Sequence, residues 1–151
     1  VRPVVKKFAE GTEVPAERSR GEIERILMRF GADQFMYGWR GDAAVIAFRA
    51  HARHIRFLLP MPTAQELRGS RRADAKDRET RRRWRALALC IKAKLEAVAT
   101  GIETFEDAFL AQMVLPNGQT MAEYAHPLVA KAYETGAMPN LLPYLQGGTP
   151  Q

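Results

Sequence analysis

QFMYGWRGDAAVIAFRAHARHIRFLL, running from Gln34 to Leu59, decides the fold. Apolar residues recur along it with a period of two, the pattern of strands with one buried face. Gly41-Asp42 and His51-Ala52-Arg53 interrupt it as turns. It therefore divides into strands Gln34–Arg40, Ala43–Ala50 and His54–Leu59, and Pro60 and Pro62 stop the last one. Paired as a meander, the strands put Phe35, Tyr37 and Trp39 on one face with Ala44, Ile46, Phe48, Ile55, Phe57 and Leu59. The opposite face carries Met36, Gly38, Val45, Ala47 and Leu58 among Arg40, Arg49, Arg56 and His54. The aromatic face is continuous and asks for a cover, so core packing is favoured over base stacking there. Tyr37 and Trp39, near the sheet end, are the exceptions to watch.

The cover lies on both sides of the meander. Before it, Ser19-Arg20-Gly21-Glu22 reads as a capping box that opens a helix. Ile23, Ile26, Leu27 and Phe30 follow at helical spacing, and Gly31 closes it. After the meander, a polar connection with a turn at Thr63–Leu67 leads to a long helix from about Ala75 to Ala99. Its apolar stripe is Trp84, Leu87, Ala88, Ile91, Leu95 and Val98, with Cys90 read as a small buried hydrophobe. Thr104 caps a helix through about Met113. Pro116-Asn117-Gly118 turns the chain, with brief pairing of Val114-Leu115 and Gln119-Thr120. Thr120 to Glu123 is a second capping box, opening a helix to Thr135 that is interrupted or kinked near Pro127 and ends at Gly136. The expected architecture is α+β: helix, three-stranded antiparallel meander, long helix, then C-terminal helices in one domain over residues 19–143. Residues 1–18 form an extended lead-in with a short edge strand at Val4–Phe8, and 144–151 a flexible tail.

The chain has 151 residues, 46% of them hydrophobic and 26% charged, which suits one domain with a real core. One cysteine rules out a disulfide framework and a cysteine-based zinc cluster. No apolar run reaches the ~18 residues of a membrane span, and no signal-peptide pattern is present. The net charge of +6 is local: Arg68 to Arg85 holds nine basic and three acidic residues, a surplus equal to the charge of the whole chain. From Leu95 onward six acidic residues face only Lys131, a balance of −5. Seventeen of the 23 basic residues are Arg, which binds phosphate with two parallel hydrogen bonds. The basic block reads in two ways. It is a phosphate-tracking surface, or a solvated helix face neutralised by the acidic tail folding back.

Other chemistry finds little support. His51, His54, His126 and Cys90 lack metal-ligand spacing, so no metal and no cofactor are expected. Among the acids, Asp42 is explained by its turn and Glu22 by its cap, while Glu24 and Asp33 belong to no catalytic constellation. Asp74-Ala75-Lys76 matches a short nuclease pattern but stands at a helix start. Gly147-Gly148 lies in the tail and forms no phosphate loop. No catalytic residue is assigned.

Several segments resemble a family of small, functionally uncharacterised proteins encoded by tailed bacteriophages and prophages. These are Ser19 to Leu27, Phe30 to Phe35 and Tyr37-Gly38-Trp39, then Arg83 to Leu87 with Ile91 to Val98. Gly101-Ile102, Thr104 to Glu106, Val114 to Gly118 and Pro139 to Pro143 extend the resemblance, which covers roughly residues 15–143. It implies a phage or prophage origin and the cytoplasm of an infected bacterium, and carries no activity. In element order alone, the chain is similar to double-stranded RNA-binding domains and to the core of single-strand annealing recombinases.

The expected function is non-enzymatic nucleic-acid binding in phage replication, recombination or regulation. Arg40, Arg49, Arg56, Arg71, Arg72, Arg78, Arg81, Arg82 and Arg85 are the expected phosphate contacts. The long helix would flank the arginine face of the sheet if it starts beside it. The alternative is a phage inhibitor that binds a host protein, such as a defence nuclease, through the same arginines. No membrane partner is expected, and a homodimer through the long helix is a further expectation.

Overall fold

The computed structural model describes residues 12–67 and 72–138. The order is α1 (Ala16–Arg29), β1 (Gln34–Arg40), β2 (Ala43–Ala50), β3 (Arg53–Pro60), α2 (Arg72–Ala99), α3 (Phe105–Phe109), a 3-10 turn (Leu110–Gln112) and α4 (Met121–Thr135). The Val4–Phe8 strand and the tail beyond Met138 lie outside the described residues.

The meander forms in the expected register. Phe35 pairs with Phe48 and Phe48 with Ile55; Tyr37 pairs with Ile46 and Ile46 with Phe57; Trp39 pairs with Ala44 and Ala44 with Leu59. Two two-residue turns set this register. Gly41 takes φ +59° in the first, a conformation glycine adopts at little cost. In the second, His51 and Ala52 take φ 50° and 57° without being glycine. The His51 ring sits between Phe30 and Phe105, with centroids 5.9 and 4.7 Å away, and this packing supports the left-handed turn.

One face of the sheet is covered by helices. Ile23 and Leu27 of α1 and Trp84, Leu87, Ala88, Ile91 and Leu95 of α2 are buried against Ala44, Ile46, Phe48, Ile55 and Phe57. α3 adds Phe105, Ala108 and Phe109 to the same core. Beyond α3, Val114 donates its N–H to His54 O at 2.8 Å, and Met113 bridges Ile55, so the edge of β3 is occupied. The edge of β1 has no such neighbour among the described residues.

Several local expectations change. α1 opens at Ala16, not Ser19, and Pro15 O accepts the first N–H groups, from Arg18 at 3.1 Å and Ser19 at 3.2 Å. Ser19 is therefore one turn inside the helix, fully buried, and its Oγ has no hydrogen-bond partner. Its partner in the expected box, Glu22, accepts instead from Arg85 Nη1 at 2.6 Å. Ser19→Ala is accordingly expected to raise stability by about 0.5 kcal/mol, because it removes an unpaired buried hydroxyl and improves helix propensity. A capping serine would instead cost about 1 kcal/mol on removal. Thermal unfolding of the variant distinguishes the two signs.

α2 begins about one turn before Ala75. Cys90 is exposed, because it falls on the side of α2 away from the Trp84 stripe. α4 runs through Pro127 without interruption. The Thr104 and Thr120 caps form as expected, the latter as a full capping box, and Gly136 closes α4 at φ 69°. Among the described residues no helix is long and apolar enough to cross a membrane.

Candidate nucleic-acid interface

The sheet places the arginines of its outer face by register. Rows Gln34–Arg49–His54, Met36–Ala47–Arg56, Gly38–Val45–Leu58 and Arg40–Ala43–Pro60 follow from the pairing. α2 lies on the opposite face, where Trp84 is buried against the aromatic rows and meets the Tyr37 ring at 5.5 Å. The outer-face arginines and the α2 arginines are thus on two sides of the molecule and do not form one surface.

Most of the expected contacts already hold carboxylates. On the sheet, Arg49 Nε donates to Asp33 Oδ1 at 2.9 Å, tying the loop before β1 to β2. Arg56 Nη2 donates to Glu123 Oε2 at 2.8 Å and Nη1 to Gly118 O at 2.9 Å. Arg40 reaches the other oxygen of Glu123 at 3.7 Å. Arg40 comes from β1 and Arg56 from β3, so Glu123 spans the outer face from edge to edge.

On α2, Arg81 pairs with Asp77, Arg82 with Glu79 and Arg85 with Glu22. Arg83, outside the expected set, does most to organise this half. It donates to Glu79 at 2.9 Å, to Glu66 at 2.7 Å and to Pro60 O at 2.6 Å, pinning the connection after β3 onto the helix. Arg78, Arg81 and Arg82 do converge, on one cleft that also contains Glu13, Glu66 and Glu79. Its formal charges balance. Arg71 and the side chain of Arg72 lie outside the described residues.

These pairs shift the acids. The Arg49 hydrogen bond holds Asp33 below its ordinary value against slight desolvation. Burial pushes Glu79 up, but hydrogen bonds from Arg83 and Arg82 together outweigh it and hold the carboxyl low. The backbone N–H of Thr120 lowers Glu123 most, against some desolvation, and the charges of Arg56 and Arg40 add to the lowering. A phosphate arriving at any of these arginines would have to displace a carboxylate that is already well bound.

The cations left exposed lie elsewhere. The Glu22–Arg85 bridge marks where α1 and α2 face each other. Arg18, Arg25 and Arg29 stand at −4, +3 and +7 from Glu22, so they share its stripe on α1. Arg78 and Lys92 stand at −7 and +7 from Arg85, sharing its stripe on α2. All five are exposed, and none has a carboxylate partner among the described residues. Only Arg78 belongs to the set expected from sequence. Arg18, Arg25 and Arg29 escape notice in a charge count because Glu17, Glu22 and Glu24 cancel them; their i, i+7, i+11 spacing is the signal that finds them.

Among the described residues no group of three or more His, Cys, Asp and Glu side chains is arranged to hold a metal. No protein-family model, no curated protein and no solved structure matches the chain.

Proposed function

We propose that the chain binds nucleic acid through phosphate contacts along the junction of α1 and α2, as a non-enzymatic accessory protein of a phage or prophage. The setting, the cytoplasm of an infected bacterium, follows from the sequence resemblance. The binding reading is carried by two stripes of cations without a carboxylate partner among the described residues, Arg18, Arg25 and Arg29 on α1 and Arg78 and Lys92 on α2. Along α1 alone they cover about 16 Å, several phosphate steps of a nucleic-acid strand.

Five such contacts give a slope of log K against log salt of about −3.5 on single strands and about −4.5 on duplex. Replacing Arg25 and Arg29 by Gln together should reduce the slope by about 1.5 to 2 and leave thermal unfolding unchanged, since neither holds a carboxylate partner among the described residues. Titrations against DNA and RNA at several salt concentrations test this. No binding at 50 mM salt, or an unchanged slope in the double variant, overturns it.

A second reading, docking of a host or phage protein, is favoured by an apolar cleft of about 630 Å³ beside α4. Leu110, Ala111, Met121, Ala125 and Val129 contribute to its walls. A stable complex from a lysate, together with no nucleic-acid binding at low salt, would select this reading.

A further inference from the structure

Trp39 stands apart from the rest of the aromatic face. It is 61% exposed, whereas Trp84, the other tryptophan, is 3% exposed. The register explains the difference. Its neighbour across the strand is Ala44, too small to shield an indole, and on its other side the edge of β1 meets no strand among the described residues. Tyr37 supports the indole from below, with ring centroids 6.2 Å apart at 67°. The Arg20 guanidinium lies 4.4 Å over the Tyr37 ring and so fixes the support in turn. Arg40 follows Trp39 directly but points to the other face of the sheet, where it reaches Glu123 at 3.7 Å. Between the two aromatics stands Gly38, where nothing lies within 4 Å of the position a Cβ would occupy.

Exposing an indole forgoes much of its burial, and a partly held ring loses little further entropy on binding. A ring supported from one side and open to solvent suits a flat partner with a π-face. A nucleobase has this chemistry, since its flat π-face stacks on an indole. A duplex cannot offer a base face without unstacking.

We infer that Trp39, supported by Tyr37 and Arg20, is a stacking platform for an unpaired base, and that the preferred ligand is single-stranded nucleic acid. The inference rests on the proposed phosphate-binding function and adds to it a site on a different element.

The test compares a twelve-residue oligothymidine with an abasic strand of the same length, which keeps the phosphates and lacks the bases. Oligothymidine should bind more tightly and quench the Trp39 emission. Trp39→Ala should weaken oligothymidine binding by about 5- to 100-fold and leave abasic binding and the salt slope unchanged, while Trp39→Phe retains most of the affinity. Equal binding of both strands by the wild type, or equal loss on both strands in Trp39→Ala, overturns the platform while leaving phosphate binding intact. Failure of the wild type to bind either strand at low salt overturns both.

Discussion

Phe109→Ala is expected to lower the unfolding free energy by about 3–5 kcal/mol, the range for removing a large aromatic from a closed core. Phe109 has 0% exposure and is the largest of the fully buried side chains. Its ring meets Phe48 and Phe57 edge-on, with centroids 5.8 and 6.3 Å away, and packs against Phe105 at 4.8 Å. It thereby fastens the five-residue α3 to the centre of the sheet. A helix that short has no stability of its own and holds its shape only by such packing. The loss should extend to the pairing of Val114 with β3, which comes five residues after α3. Urea unfolding should show a lower midpoint with an unchanged slope. A loss below about 1 kcal/mol would mean that the C-terminal elements are not fastened through this ring.

The same residue shows where sequence reading stops. The meander was legible because two periodic faces and two turns over-determine its register; a slip of one residue at Phe48 would turn every aromatic to the outside. The stripe of α2 was legible for the same reason. Phe109 was not, because α3 is too short to show a period, and only the docked structure reveals which of Phe105, Phe109 and Leu110 faces inward. Ser19 misled for a different reason. A capping box is a local pattern of four residues, and Pro15, four residues before Ser19, supplied an alternative start that local pattern reading passed over. Cys90 misled through company: it lies among apolar neighbours, yet on the far side of the helix.

The candidate site was legible in charge and not in partners. Composition located a surplus of arginine between Arg68 and Arg85 but could not show that Arg81, Arg82, Arg83 and Arg85 are held by Asp77, Glu79, Glu66 and Glu22. Neither of the two readings of the block describes these pairs fully. Its described partners come from within the block and from the elements packed beside it. Among the described residues, the acidic C-terminal part contributes one carboxylate to ion pairs, Glu123, and it goes to the sheet arginines.

Glu123→Lys is therefore expected to cost about 3 kcal/mol. The carboxylate accepts from Thr120 N at 2.8 Å to complete the capping box, worth about 1 kcal/mol, and holds Arg56 and Arg40, worth about 1 kcal/mol at this partial exposure. A lysine there loses both and sets a third cation beside two arginines and the positive end of α4, about 1 kcal/mol more. Glu123→Gln separates the parts, since glutamine can still close the box but carries no charge. It should cost about 1 kcal/mol near neutral pH and change the acid response. The Glu123 carboxyl in the fold sits below its ordinary 4.5, so its contribution is complete above that value and disappears as pH falls through the lower folded value. Glu79 is also lowered from 4.5 and acts in the same window, while Asp33, lowered from 3.8, is lost at still lower pH. Wild-type stability should therefore fall on acidification below about pH 4.5, and Glu123→Gln should fall less steeply, with the remaining slope due to the other acids. A Glu123→Gln protein that loses stability with acid as steeply as the wild type would show that the clamp between β1 and β3 contributes no charge energy to the fold.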